Sequence, residues 1–93
     1  MDQYLLDEES FEALDRAGVA WRDLQSALYS DHPRIRRPVG TEGLLLVIRT
    51  DTGYWLVIGF VEQRDGAWLL TEARHVSEAE TAALDQMFRG GSR

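Results

Sequence analysis

Ninety-three residues suffice for one domain and are too few for two independent cores. A hydrophobic fraction of 44% with nine aromatics excludes wholesale disorder, and the absence of cysteine excludes disulfides and thiolate metal sites. The net charge of -6 argues against nonspecific nucleic-acid binding, and with no purely apolar run longer than five residues the chain has no bilayer-spanning segment.

The distribution of charge says more than its sum. Residues 1 to 30 carry seven acids against Arg16 and Arg22, a net -5, whereas residues 31 to 49 set Arg34, Arg36, Arg37 and Arg49 against Asp31 and Glu42, a net +2. All ten cations are arginine, so each carries the planar fork that matches carboxylate or phosphate. Any nucleic-acid site must be local. The acidic N-terminus does not look like a signal peptide, and a cytoplasmic location is expected.

In chain order, Asp7 to Gly18 reads as a short helix with an Asp cap, acids in its first turn and a glycine stop. Phe11 and Leu14 are expected on its buried side. Val19 to Tyr29 comes next, with Trp21, Leu24 and Leu28 on one helical face, making an αα-corner. Ser30-Asp-His-Pro33 ends that helix. Residues 34 to 41 read as a loop or an edge strand, since Pro38 cannot donate to a central ladder. From Gly43 the pattern changes to strands. Leu44 to Thr50 closes on the turn Asp51-Thr-Gly53. Tyr54 to Glu62 places Tyr54, Leu56, Ile58 and Phe60 on one face and Trp55, Val57 and Val61 on the other, as in a central strand. Gln63-Arg-Asp-Gly66 turns into a third strand, Ala67 to His75. Ser77-Glu-Ala-Glu80 is a capping box that opens a helix running to about Phe88, with Leu84, Met87 and Phe88 inward. Residues 1 to 6 and 90 to 93 are expected to fray. The expected fold is therefore α+β: one domain over residues 1 to 93, with two N-terminal helices and one C-terminal helix on an antiparallel β-meander of three to four strands.

The usual catalytic signatures are absent from the sequence: there is no phosphate-cradling glycine loop, nucleophile elbow, HExxH or Cys/His cluster. No cofactor is expected. His32 and His75 are 43 residues apart, so a metal site would need both to converge with carboxylates, and none is expected.

The segment from Leu45 to Glu80 resembles the BrnT-type toxin family, small ribonucleases with a RelE-like fold. The resemblance lies in strand, glycine turn, strand, charged glycine turn and a third strand ending in Ala73-Arg74, then Ser77 to Glu80 opening the last helix. Phe11-Glu-Ala-Leu-Asp-Arg-Ala-Gly-Val-Ala-Trp-Arg-Asp-Leu24 is similar to the family's first helix, Gly-Val and second helix. The chain departs from that pattern at Arg16-Ala17, where Lys-His is common, at Tyr54, where Arg is common, and in being acidic. The resemblance implies the toxin component of a type II toxin-antitoxin system, a metal-independent RNA endonuclease neutralised by a ribbon-helix-helix antitoxin.

In that chemistry the substrate's 2′-OH attacks the adjacent phosphate, a base takes its proton and cations stabilise the phosphorane. Arg74 and Arg49 are the candidates for phosphate stabilisation, and His75 is the candidate proton carrier. Arg34, Arg36, Arg37 and Trp55 are candidate RNA-binding residues. Arg74 and His75 are neighbours, however, so a regular strand points them to opposite faces; only a bulge or the strand end would let both serve one site. The plainer readings stand beside these: Arg74 paired with Glu72 or Glu80, His75 solvated, the arginine run a solvated surface, and the tryptophans core. The expected partners are RNA, an antitoxin and, for a homodimer, a second copy; no membrane is expected. Two rival functions stay open, a degenerate, noncatalytic protein-interaction module of the same fold, and a helix-turn-helix DNA binder. The -5 charge of the αα-corner weighs against the last.

Overall fold

The structure is a computed structural model that describes residues 3 to 30, 34 to 50 and 52 to 91. Strand β1 (Tyr4–Leu5) precedes helices α1 (Glu8–Ala17) and α2 (Trp21–Leu28); strands β2 (Arg34–Val39), β3 (Gly43–Arg49), β4 (Trp55–Glu62) and β5 (Trp68–His75) come next, and helix α3 (Glu78–Gly91) ends the chain. The strands form one sheet in the order β1-β5-β4-β3-β2. The meander is antiparallel, and β1 joins it in parallel to β5 through Tyr4 opposite Trp68 and Leu5 opposite Leu69. The sheet thus has five strands and is mixed, unlike the expected meander of three to four, because Tyr4–Leu5, expected to fray, pairs with β5. Residues 34 to 39 are an edge strand, where the missing N–H of Pro38 can face away from the ladder.

Period-two alternation gives the sheet two faces. The first carries Leu44, Leu46 and Ile48 of β3, Leu56, Ile58 and Phe60 of β4 and Leu70 of β5, all buried against Leu14 and Val19 and against Leu24, Ala27 and Leu28 of α2. Each of the Leu, Ile, Val and Phe side chains among them contributes about 1.5–3 kcal/mol through burial. Phe11, expected inward, is 49% exposed: Ser10 and Leu14 define the buried stripe of α1 instead. Ser10 is fully buried because its hydroxyl donates to the Leu70 carbonyl and accepts from the Asp7 N–H, tying the start of α1 to β5.

The expected local signals form as hydrogen bonds. Asp7 caps α1, its carboxylate accepting from the Ser10 N–H at 2.9 Å, and Gly18 ends that helix at a φ of 70°. At α3 the Ser77 hydroxyl accepts from the Glu80 N–H at 3.1 Å while Glu80 accepts from the Ser77 N–H at 3.0 Å. These bonds favour the charged forms. Asp7 is held below its ordinary 3.8, chiefly by the Ser10 backbone, and Glu80 below its ordinary 4.5, chiefly by the Ser77 backbone with a smaller contribution from Arg74. A depressed native pKa contributes stability that is present above the unfolded-state value and lost as pH falls through the native one. Stability is therefore expected to fall progressively below pH 4.5. Asp7→Asn, which keeps the accepting oxygen without the charge, is expected to flatten the acid limb; a thermal-melting series against pH checks this, and an unchanged limb would contradict it.

Between β2 and β3 the chain turns tightly. A Cβ at Gly43 would stand 2.6 Å from the Val39 carbonyl oxygen, a backbone atom that cannot swing aside. Gly43→Ala is expected to cost about 1–3 kcal/mol, the usual range for overpacking. Urea denaturation measures it, and a loss near zero would mean that the turn yields.

The ladder between β4 and β5 contains one irregularity, and it decides which way Arg74 points. Gly59 pairs with Glu72 but Phe60 pairs with Leu70, so Thr71 is an extra residue, a β-bulge. Its hydroxyl donates to the Gly59 carbonyl at 3.2 Å. Strict alternation from buried Leu70 would put Arg74 on the first face; the bulge reverses the parity and puts it on the second.

Candidate functional site

The second face carries Ile35 and Arg37 of β2, Leu45, Val47 and Arg49 of β3, Trp55 and Val57 of β4, and Arg74 of β5, as the pairings Ile35–Val47–Val57–Arg74 and Arg49–Trp55 fix. One helix covers part of it. Trp55, 1% exposed, donates its indole N–H to Asp85 of α3 at 2.8 Å and packs its ring against Phe88 at 5.3 Å. Met87, expected inward, is 51% exposed. The helix also runs on to Gly91, through residues expected to belong to a frayed tail.

Beside α3 the second face is open and forms a hollow of about 580 Å³. Its floor is Leu45, Val47 and Val57. Ile35, Arg36, Arg37 and Pro38 border it on the β2 side, and Arg74, Val76, Glu80, Ala83 and Leu84 on the side of β5 and α3. This volume lies within the range of small-molecule sites. Three guanidinium groups against one carboxylate give the rim a positive balance within an acidic molecule. A second hollow, of about 460 Å³ between α1 and β5, is lined by Glu9, Glu12 and Arg16 and has the opposite charge balance.

The fold separates the candidates for catalysis. Arg74 stands at the rim of the first hollow with its side chain 59% exposed; Nη1 lies 3.7 Å from Glu80 and donates to the His75 carbonyl at 3.3 Å. Arg49 is on the same face, beside Trp55 rather than at the rim, with its Nε buried and without a hydrogen-bond partner among the described residues. His75 is on the first face, opposite Leu56, its ring 5.3 Å from that of Tyr54. The bulge at Thr71 lies upstream of both Arg74 and His75, so regular alternation still separates them. The imidazole therefore cannot share the hollow with Arg74. Tyr54 in turn donates to Asp23 of α2 at 3.3 Å. Burial, then the Asp23 charge, pushes the phenol pKa above its ordinary 10.0.

Of the candidate RNA-binding residues, Arg37 is at the rim, exposed, and its guanidinium makes no hydrogen bond or ion pair among the described residues. Arg36 borders the hollow from the edge strand, although its register partner Leu46 belongs to the first face. Arg34 is engaged elsewhere: its guanidinium donates to the carbonyls of Ala27 at 2.6 Å, Leu28 at 3.1 Å and Ser30. It closes the C-terminus of α2, where the helix dipole favours a cation. Trp55 offers no open ring while α3 is docked. No cluster of His, Cys, Asp or Glu able to hold a metal occurs among the described residues; His32 lies outside them.

Sequence reading misses Glu80 as a site residue, because its capping role accounts for it fully. The signal is its spacing: a capping-box acid directly after a strand that ends in arginine must stand close to that arginine. For Arg34 the signal is the ending of α2. That helix stops at Tyr29 with φ -100°, without a left-handed glycine, so its last carbonyls need a partner, and Arg34 is the nearest cation downstream.

No family model, curated protein or solved structure matches the chain. No helix among the described residues is long and apolar enough to cross a membrane.

Proposed function

We propose that this chain is a BrnT-like toxin-family domain, the toxin component of a type II toxin-antitoxin system, and that RNA meets it on the second face of the sheet. The observation that carries the reading is the rim of the hollow, where Arg37 and Arg74 face solvent with Arg36 beside them in an otherwise acidic molecule. The order of elements, two helices, a meander ending in Ala73-Arg74 and a last helix opened by Ser77 and Glu80, supports it as well.

In this reading Arg74 neutralises charge on the phosphorane, and Glu80, the one carboxylate at the rim, replaces His75 as the group that takes the 2′-OH proton. A carboxylate held below its ordinary pKa is ionised at neutral pH and ready to accept a proton, but it is a weak base. That weakness, with an imidazole on the wrong face and Trp55 covered, favours the second reading: a noncatalytic module that binds a partner through the same face. The DNA-binding reading has the least support, because α2 buries Leu24, Ala27 and Leu28 against the sheet and its segment is acidic.

Induced expression with a growth readout, paired with cleavage of single-stranded RNA by the purified chain, separates the first two. Cleavage that drops at least tenfold in Glu80→Gln supports the enzyme, since glutamine keeps the capping geometry and removes the base. Harmless expression and no cleavage by the unaltered chain would contradict the enzyme and favour the noncatalytic alternative.

A further inference from the structure

The rim and the floor of the hollow ask for different things. Nucleotides bring several charges and flat bases, and protein sites for single strands stack those bases on open aromatic rings. None of the residues lining this hollow is aromatic; its floor is Leu45, Val47 and Val57, and Leu84 of α3 stands beside it. Such a surface suits a flexible saturated chain. Of the two guanidinium groups of the second face at the rim, Arg74 already has Glu80 at 3.7 Å, whereas Arg37 has no hydrogen bond or ion pair among the described residues. The register separates them by the full width of the hollow, Arg37 on β2 and Arg74 on β5, with β3 and β4 between. The unneutralised charge is thus at one end and the aliphatic surface extends from it towards α3.

We propose that the hollow is a binding site for a medium-chain aliphatic carboxylate. The carboxylate takes the planar fork of Arg37 at the β2 edge, where two parallel N–H···O bonds are available, and the chain lies over Val47 and Val57 to end beside Leu84. The guanidinium of Arg37, without a partner among the described residues, matches a single carboxylate. The site reaches beyond the reading of the chain as a toxin and does not depend on it: it shares Arg37 with the proposed RNA surface but makes no use of Arg74 and Glu80, the pair to which that reading gives the chemistry.

The test is a titration of the full chain with decanoate, kept below its micelle concentration and followed by methyl and backbone NMR. Decanol and acetate serve as controls, the first without the charge and the second without the chain. The expected result is saturable binding that shifts the methyls of Leu45, Val47, Val57 and Leu84, with at least tenfold weaker binding of both controls. Arg37→Ala, at an exposed position, is expected to weaken decanoate about tenfold, the effect of losing one charge-assisted contact, and Arg74→Ala to change it less than twofold. Equal binding of decanol, shifts centred on α1 and α2, no binding at all, or loss in Arg74→Ala with retention in Arg37→Ala would each overturn the proposal. RNA cleavage, measured separately, neither supports nor opposes it.

Discussion

Trp55→Ala is expected to cost about 3–5 kcal/mol, the range for removing a large buried aromatic. Its indole is 1% exposed, packs against Phe88 and donates to Asp85 at 2.8 Å, so the substitution leaves a cavity and removes the polar partner of Asp85. A domain of this size has roughly 5–15 kcal/mol to lose. The damage should not be uniform. The first-face core between the sheet and α1 and α2 does not include Trp55, whereas the Trp55 indole meets Asp85 and Phe88 of α3. Urea denaturation should therefore show the full loss, and hydrogen exchange should show the amides of α3 losing protection well before those of β3 and β4. A loss below about 1 kcal/mol, or α3 amides as protected as before, would mean that α3 is held by other contacts.

The second large effect concerns the two neighbouring residues Arg74 and His75. If the second face acts on RNA, Arg74→Ala should lower cleavage by about 10²–10³, the size of effect seen when a group that stabilises developing negative charge is removed. Stability should hardly change, because the Arg74–Glu80 pair is exposed on both sides. His75→Ala should leave cleavage within about twofold, since its ring lies against Tyr54 on the helix-covered face. The comparison is informative because the two residues are adjacent in sequence and reach opposite faces of the sheet. Equal loss in both variants would contradict the assignment of faces.

How far the sequence reveals these features depends on the distance between the partners that create them. The helix starts at Asp7 and Ser77, the stop at Gly18 and the turn at Gly66 are legible, because each depends on hydrogen bonds between residues a few positions apart. The two faces of β4 are legible for a similar reason: Leu56, Ile58 and Phe60 alternate with Trp55, Val57 and Val61 without interruption. Features with distant partners are not. Tyr4–Leu5 becomes a strand only because β5 offers it an edge some sixty residues later. Phe11 sits off the stripe that Ser10 sets by bonding to Leu70, and nothing in a helical periodicity announces a buried serine.

For the candidate site the difference is sharper. The face of Arg74 is set by the bulge at Thr71, and alternation counted from Leu70 gives the wrong side. Neither Thr71 nor its neighbours carry a turn residue that marks the irregularity. The separation of Arg74 from His75, by contrast, needs only adjacency in a strand. Arg34, Arg36 and Arg37 look alike as a run of charge, yet the first closes α2, the second shares its register with the first-face residue Leu46 and the third stands open at the rim. A run of like residues on a strand is divided by the strand itself.

NMR titration of the full chain with a short single-stranded RNA tests most directly whether the second face is the working surface. The result expected is a set of shifts confined to the side chains of Arg37 and Arg74 and the methyls of Val57 and Leu84, weakening with salt as phosphate contacts do. Shifts gathered instead around Tyr54, His75 and Asp23, on the side covered by α1 and α2, would contradict it.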